Sequence, residues 1–493
     1  MKAFFRMGLV PVLWVLLTLR VSAHLGMPYV VLEGRAGKFP VRVVVQEPDV
    51  VPGLAQIGVR ILEGEAKGVT VLPLHWDTDR SGAPRPDPAR PVAGEPGLFE
   101  GELWFMGAGA YGVVVEVEGE GGGTLVVPAN SLATARTAMP RWMEILLALL
   151  GALLVFGWVC IGYVTFREST VAGEPRGRWW RGLLGAGLAT VVAVAAVWGG
   201  RRWWNAEDSN HDARVRGQRV ILTVTSDRTG LEFGFDEPAW RGRSGVWDLV
   251  PDHGRLLHAF VMGSGPAPMF LHLHPEPTPE GAKRSAVGDL PAGDYRVFVD
   301  MTHAMGSTQT LTNRLVVTEP ILGGGLKDPD DSRHEGRSSP LGESHPLGDG
   351  RVVRLDVDGR LRPREAVRLV ARFREADNRP SLLQPYLRMP GHAVVASEDG
   401  TVFSHLHPAG NLSMAAARRF ALRAGGDAAA KNADVVCGDL GALPADVVGR
   451  LLASGEVTFP MVFPKAGSYW IWVQARIEGQ IRTGFFRLDV PEG

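Results

Sequence analysis

Cysteine is nearly missing from this sequence of 493 residues, which has only Cys160 and Cys437. One falls in an apolar run and the other in a late polar segment, so they form no disulfide framework, zinc–thiolate knuckle or redox pair. A blue-copper thiolate is excluded on the same ground. The chain also lacks an excess of one charge: 52 basic residues stand against 53 acidic ones. No broad field is left to attract a polyanion, and nucleic acid is set aside as a partner. No G-x-S-x-G elbow and no H-E-x-x-H helix occurs, which removes two common hydrolase designs. Any metal site must be built from histidine, methionine and carboxylates.

What the chain does have begins with long uncharged runs. Residues 1–23 carry Lys2 and Arg6, an uncharged stretch from Met7 to Leu19 and small residues at Val21-Ser22-Ala23. This is the pattern of a signal peptide, with His24 as the mature N-terminus. Residues 143–166 and 182–200 hold two further apolar runs, each long enough at about 1.5 Å per residue to cross a hydrocarbon core of about 30 Å. Arg167, Arg176, Arg178 and Arg181 lie in the connection 167–181, which suits a cytoplasmic loop. Arg141, Arg201 and Arg202 on the far sides make that bias modest, and the signal peptide places both large polar portions on the extracytoplasmic side, in the periplasm. Within the two runs, Ile145 to Phe166 and Leu183 to Gly200 carry no charge, so the pair anchors the chain in the lipid bilayer and forms no transport path.

Outside the spans the sequence is β throughout, in short β-branched or alternating runs such as PVRVVVQ and YGVVVEV separated by Gly and Pro turns. A local signature occurs three times, Ala108-Gly-Ala-Tyr111, Ala292-Gly-Asp-Tyr295 and Ala466-Gly-Ser-Tyr469, each leading into a strand. The glycine allows a tight turn, and the tyrosine packs inward while its hydroxyl finds backbone. The expectation is an all-β chain of three Ig-like or cupredoxin-like antiparallel β-sandwich domains, at 24–135, 215–320 and 351–493, with the membrane helices between the first and second. Residues 321–350, rich in Gly, Pro and charge, read as a linker. Residues 411–455 read as a helical insertion of unassigned role in the last domain.

The second repeat is chemical. His258 is followed by His272-Leu-His274-Pro275, and His392 by His405-Leu-His407-Pro408. Alternate residues of a strand share a face, so each H-x-H pair projects to one side, and a hairpin brings the preceding histidine beside it. Each repeat thus offers three imidazoles to one ion. The first repeat adds His253, and Met301, His303 and Met305 lie at alternate positions of one strand, with Ile477 where a second His303 would stand. His24 offers an amine–imidazole chelate. Imidazole with thioether favours copper, as Cu(I) or Cu(II), while histidine alone also serves zinc. Asp252 and Asp300 read as solvated carboxylates, and His75, His211, His334 and His345 as surface or linker residues.

At Met389-Pro-Gly-His392, Phe403-Ser-His405-Leu-His407-Pro408 and Phe463-Pro-Lys-Ala-Gly-Ser-Tyr469 the chain resembles bacterial envelope proteins with YtkA-like or FixH-like β-sandwich domains, related in style to CopC-type copper carriers. A looser version covers His253 to Pro275. The resemblance implies a sandwich fold and a theme of copper handling. The expected function is a non-enzymatic, membrane-anchored metal-binding protein that sequesters or delivers copper or assists cuproenzyme assembly, with an envelope copper protein or transporter as partner. The alternative is a structural or interaction module whose histidines only stabilise a strand corner.

Overall fold

The computed structural model describes residues 27–131, 139–168, 175, 177–215, 219–224, 229–236, 248–265, 268–279 and 283–493. The expected signal peptide, His24 and most of the loop between the apolar helices lie outside the described residues. The chain is mostly β-sheet, in several sheets, with two long apolar helices.

Eight antiparallel strands between Tyr29 and Ser131 form one sheet, in which Phe39–Gln46 alternates buried and half-buried positions. Val41, Val43 and Val45 are its inward set, the pattern expected of a strand with one face on a core. Helix α1 (Arg141–Arg167) and helix α2 (Trp179–Val215) follow, both long and apolar enough to cross a membrane. They touch closely where a Cβ on Gly185 would stand 2.2 Å from the Gly162 carbonyl oxygen, so small residues let the two backbones approach. The Trp158 indole donates to the Ala189 carbonyl across the same contact, at 3.0 Å.

The middle region has a four-stranded sheet and a six-stranded one, and the C-terminal region a four-stranded and a five-stranded one. Each AGxY tyrosine makes the hydroxyl–backbone bond that its setting predicts. Tyr295 donates to the Pro291 carbonyl at 2.8 Å, Tyr469 donates to the Lys465 carbonyl at 2.8 Å, and Tyr111 accepts from the Gly107 amide at 3.0 Å.

Segment 321–350 differs from the expected linker. Ser332–His334 pairs with strand Phe270–Leu273, Ser339–Pro340 runs parallel to strand Gln480–Val490, and Ser344–Gly348 pairs with Arg351–Asp358. Its apolar residues are few because these short strands are held by backbone pairing and by ion pairs, Arg255 to Asp328 and Asp330 among them. His345, expected at the surface or in a linker, is buried there, and the His334 ring lies tilted beside it with ring centroids 5.5 Å apart.

The insertion also has a place. Helix α3 (Met414–Val436) starts at Ser413, whose hydroxyl caps the Ala416 amide, and lies against the N-terminal sheet with Phe420 packed among Leu72, Leu74 and Met305. Just before it, Gly410 adopts φ 150° with its α-carbon so near strand Tyr29–Ala36 that a Cβ would meet the Val31 carbonyl oxygen at 1.8 Å. Only glycine fits at that crossing.

Candidate metal centre

The strands that carry the histidines are buried on both faces. In strand Leu257–Gly263, Leu257, Ala259 and Val261 point into the core of the middle region, while His258, Phe260 and Met262 point away from it. Strand His392–Ser397 does the same, with Ala393 and Val395 in its own core and His392, Val394 and Ala396 outward. The two outward faces meet, so one shared layer joins the middle and C-terminal regions.

That layer is apolar at one end. Phe298 stacks on Phe403 with centroids 4.3 Å apart, and Trp472 stacks on Phe270 at 4.6 Å. Phe298 and Trp472 each lie three residues after an AGxY tyrosine, and Phe270 and Phe403 each lie two residues before an H-x-H pair. The two stacks are thus one contact made twice, as the pseudo-two-fold pairing of two copies of a motif requires.

At the other end the layer is imidazole. His253, His258, His272, His274, His392, His405 and His407 are all buried, none more than 8% exposed. Hairpin pairing sets Ala259 opposite Leu273 and Ala393 opposite Leu406, which brings His258 beside the first H-x-H pair and His392 beside the second, as the spacing predicts. The repeats do not make two remote sites, however. Ring centroids of His258 and His405, one from each region, are 5.1 Å apart, as close as His258 and His274 at 5.1 Å within one region.

Ligand nitrogens fall into two groups, each with all its atoms within 4.8 Å of one another. The first triad is His258, His272 and His274. The second is His253, His392 and His407, so the middle region supplies a member to its neighbour's group. His405 lies between them, 5.5 Å from His272 and 4.6 Å from His407 by ring centroids.

Outer partners fix which nitrogen faces inward. A carbonyl oxygen only accepts, so His407 donates from Nδ1 to Leu412 at 3.0 Å, and His258 donates from Nε2 to Asp252 at 3.3 Å. His272 Nδ1 lies 2.9 Å from Gln474 Oε1, and the Gln474 amide nitrogen donates to Ser332 and Thr483, which fixes Oε1 as the acceptor. His274 Nδ1 donates to Asp331 at 3.0 Å, and His405 Nδ1 faces Asp300 at 3.4 Å. The remaining nitrogens of these five rings are lone pairs directed into the chamber. His258 Nδ1 and His272 Nε2 thus point lone pairs at each other across 3.4 Å. Among the described residues, His274 Nε2, His405 Nε2, His253 Nδ1 and both ring nitrogens of His392 have no hydrogen-bond partner. An unsatisfied buried polar group costs about 1–3 kcal/mol, so this set is expensive unless something fills it.

Burial holds every ring neutral. It pushes His253 and His407 down to about 3 and His274 to about 4, and it drives His258, His272, His392 and His405 well below the ordinary imidazole range. Burial also raises Asp300 and Asp331 to about 7. Neutral imidazole is the form that binds a cation.

His253 sits in a turn, Asp252 to Arg255, whose two ends exchange backbone hydrogen bonds, and Tyr386 to Met389 forms the same turn before His392. Leu387 therefore stands where His253 does, both with φ near 50°. A non-glycine residue in this left-handed region is uncommon, and such positions cluster at functional sites.

Several expected ligands lie elsewhere. The strand ends at His303, so Met305 falls in the turn beyond it and the three do not share one face: Met301 points into the middle core and Met305 packs in the apolar contact with Leu72 and Phe420. His303 is buried at the strand end opposite Leu249, outside both triads. Asp252 and Asp300 are not solvated surface groups. Asp252 is 8% exposed, 3.6 Å from His253 Nε2, and Asp300 backs His405. Sequence reading passed over Asp331, Tyr386 and Gln474. The signal for two outer partners was present, since Asp300 and Gln474 each lie five residues after an AGxY tyrosine.

The fold and site define a mostly β chain with a buried histidine chamber between two of its regions and two apolar helices. Residues 346–492 match the family described as Domain of unknown function (DUF8832). Methylthioribulose-1-phosphate dehydratase of Pseudomonas aeruginosa strain UCBPP-PA14 is 30% identical over 159 residues, 31% of this chain and 73% of that protein, and the protein of the same name from Pseudomonas paraeruginosa strain PA7 gives the same figures. Over that stretch the chain belongs to the family of these dehydratases; the relation takes in less than a third of its length. Among solved structures, a tetra-tandem repeat from the extending region of a large adhesion protein is 9% identical, with 91% of this chain and 73% of that one covered and a TM-score of 0.15. Alpha-2-macroglobulin of E. coli is 9% identical, with 92% and 26% covered and a TM-score of 0.16.

Proposed function

We propose that this chain is a non-enzymatic metal-binding protein anchored in a bacterial cytoplasmic membrane by α1 and α2, with three Ig-like or cupredoxin-like sandwiches on the extracytoplasmic side. Its histidine chamber takes up copper, with zinc the second candidate, for sequestration, delivery or cuproenzyme assembly together with an envelope copper protein or transporter. The observation that carries this reading is the fixed set of inward lone pairs, each backed by an outer carbonyl, amide or carboxylate. A site with ligands so oriented matches the way metal-bound imidazoles are held. The resemblance of both H-x-H-P segments to YtkA-like and FixH-like domains supports the same theme. With Met301 and Met305 in apolar cores, the ligand set is imidazole alone, which suits Cu(II) or zinc better than a thioether-assisted Cu(I) site.

The test is metal content and Cu(I), Cu(II) and Zn(II) affinity of the full chain in detergent, beside His272→Ala/His274→Ala and His405→Ala/His407→Ala, with folding followed by circular dichroism. Tight binding that weakens in folded variants is expected. A well-folded parent that binds no metal overturns the reading and leaves the structural module, in which the histidines only pin two sheets together.

The kinship with the dehydratases favours a second reading, an enzyme whose ion activates a sugar phosphate. The burial of all seven rings weighs against it, since a substrate of that size has to reach the ion. Turnover of methylthioribulose-1-phosphate by the metal-loaded chain would establish it.

A further inference from the structure

We propose that the chamber holds two metal ions, one in each triad, as a single dinuclear centre closed by the meeting of the two regions; this rests on the metal-binding reading above. The argument is a count. A tetrahedral ion accepts four donors, and a catalytic-type site commonly takes three from protein. Seven imidazoles are gathered here, so one ion leaves three or more of them buried with no metal to ligate. Two ions, each with three imidazoles, account for six, and His405 is the seventh.

Geometry divides the rings in the same way. Each triad is complete on its own, its ligand atoms within 4.8 Å of one another. The lone pairs that His258 and His272 aim at each other across 3.4 Å call for a cation in the first triad. In the second, whose His253 Nε2 and His407 Nε2 lie in hydrogen-bond contact at 3.1 Å, His253 Nδ1 has no partner among the described residues and His392 brings two nitrogens with none. A cation in the first triad satisfies neither of these.

The two positions are close but not alike. Rings of different triads approach to 6.1 Å for His253 and His258 and to 6.4 Å for His272 and His392. Triads this near would make their two ions close neighbours, as in two-metal sites, where a bridge holds the ions about 3.5–4 Å apart. The first triad is backed by Gln474 and Tyr386 on His272 and by the Asp331 carboxyl on His274, and the second has the Asp252 carboxyl beside His253. His405 faces both triads and is the shared or fourth ligand.

The experiment loads the full-length, EDTA-stripped protein in detergent with excess Cu(II) or, separately, Zn(II), removes free ion by gel filtration, and counts metal per chain by elemental analysis. Two ions per chain are expected, with a Cu(II) EPR intensity well below that of two isolated ions because neighbouring spins couple. His272→Ala/His274→Ala and His392→Ala/His407→Ala are each expected to keep one ion and to regain the full EPR intensity of that ion. One ion per folded parent chain overturns this inference and leaves the metal-binding reading standing, whereas none overturns both. Should either variant fail to fold, the count and EPR intensity of the parent decide.

Discussion

On the metal-binding reading, the metal-free protein is acid-sensitive, by an amount that follows from the burial of its histidines. In the unfolded chain each imidazole titrates near 6.5. In the fold, burial holds His253 and His407 down to about 3 and His274 to about 4. A folded value below the unfolded one means that the unfolded chain binds more protons between the two, so stability is full above about pH 6.5 and falls as pH drops toward the folded values. Each pH unit costs about 1.4 kcal/mol per histidine. At pH 5 these three remove about 6 kcal/mol, and protonation of Asp300 and Asp331, raised to about 7, returns about 4–5 kcal/mol. His258, His272, His392 and His405, held well below the ordinary imidazole range, add further loss, against a typical total stability of about 5–15 kcal/mol. The metal-free protein is therefore expected to lose the packing of its shared layer between pH 6 and pH 4.5. The assay is near-UV circular dichroism of the EDTA-treated chain in detergent, titrated downward and then back. The metal-loaded protein is expected to hold its signal to lower pH, because protons must displace the ion first. An unchanged near-UV spectrum to pH 4 without metal would refute the reasoning and show that the rings are solvated or paired in the native state.

Trp472→Ala removes a fully buried ring stacked on both Phe270 and Phe485 and is expected to cost about 3–5 kcal/mol, measured by urea unfolding. Gln474→Ala takes away the partner of His272 Nδ1 and is expected to weaken metal binding about 10–100-fold in a chain that still folds, measured by competition with a chromophoric chelator. Met301→Leu and Met305→Leu are expected to leave metal affinity unchanged and to cost under about 1.5 kcal/mol, since both thioethers lie in apolar clusters away from the triads. Tyr469→Phe deletes the hydroxyl bond to Lys465 and is expected to cost about 1 kcal/mol, seen as a shifted urea midpoint.

The β character, the apolar helices and the tyrosine turns were legible in the sequence because each depends on local pattern: alternation, length of an uncharged run, a glycine before an aromatic. The histidine triads were legible in part for the same reason. Strand periodicity puts His272 and His274 on one side, and hairpin pairing brings His258 to them. The same periodicity also shows why Met301 and His303 misled. Alternation says which residues share a face and leaves open which way that face looks, and their face looks into the core. The meeting of the two repeats was not legible, because Phe260, Phe298 and Trp472 read as ordinary core residues until both sides of their strands prove buried. Segment 321–350 was misread because its ion pairs and short strands join residues distant in sequence, as when Arg476 meets Asp330. The outer partners Asp331 and Tyr386 come from these irregular stretches, where no period exists to mark them.

The aromatic stacks and the histidine chamber occupy one continuous layer, and that has a consequence for timing. If the chamber holds an ion as proposed, that ion would lie among buried rings with no neighbouring solvent to step into, and its exit would require Phe298 to part from Phe403 and Trp472 from Phe270. The dwell time of such an ion would be set by how often the two halves breathe, and affinity alone would not predict it. On that reading a partner that wedged the seam apart would act as a key, and the chamber would give up its ion by being opened.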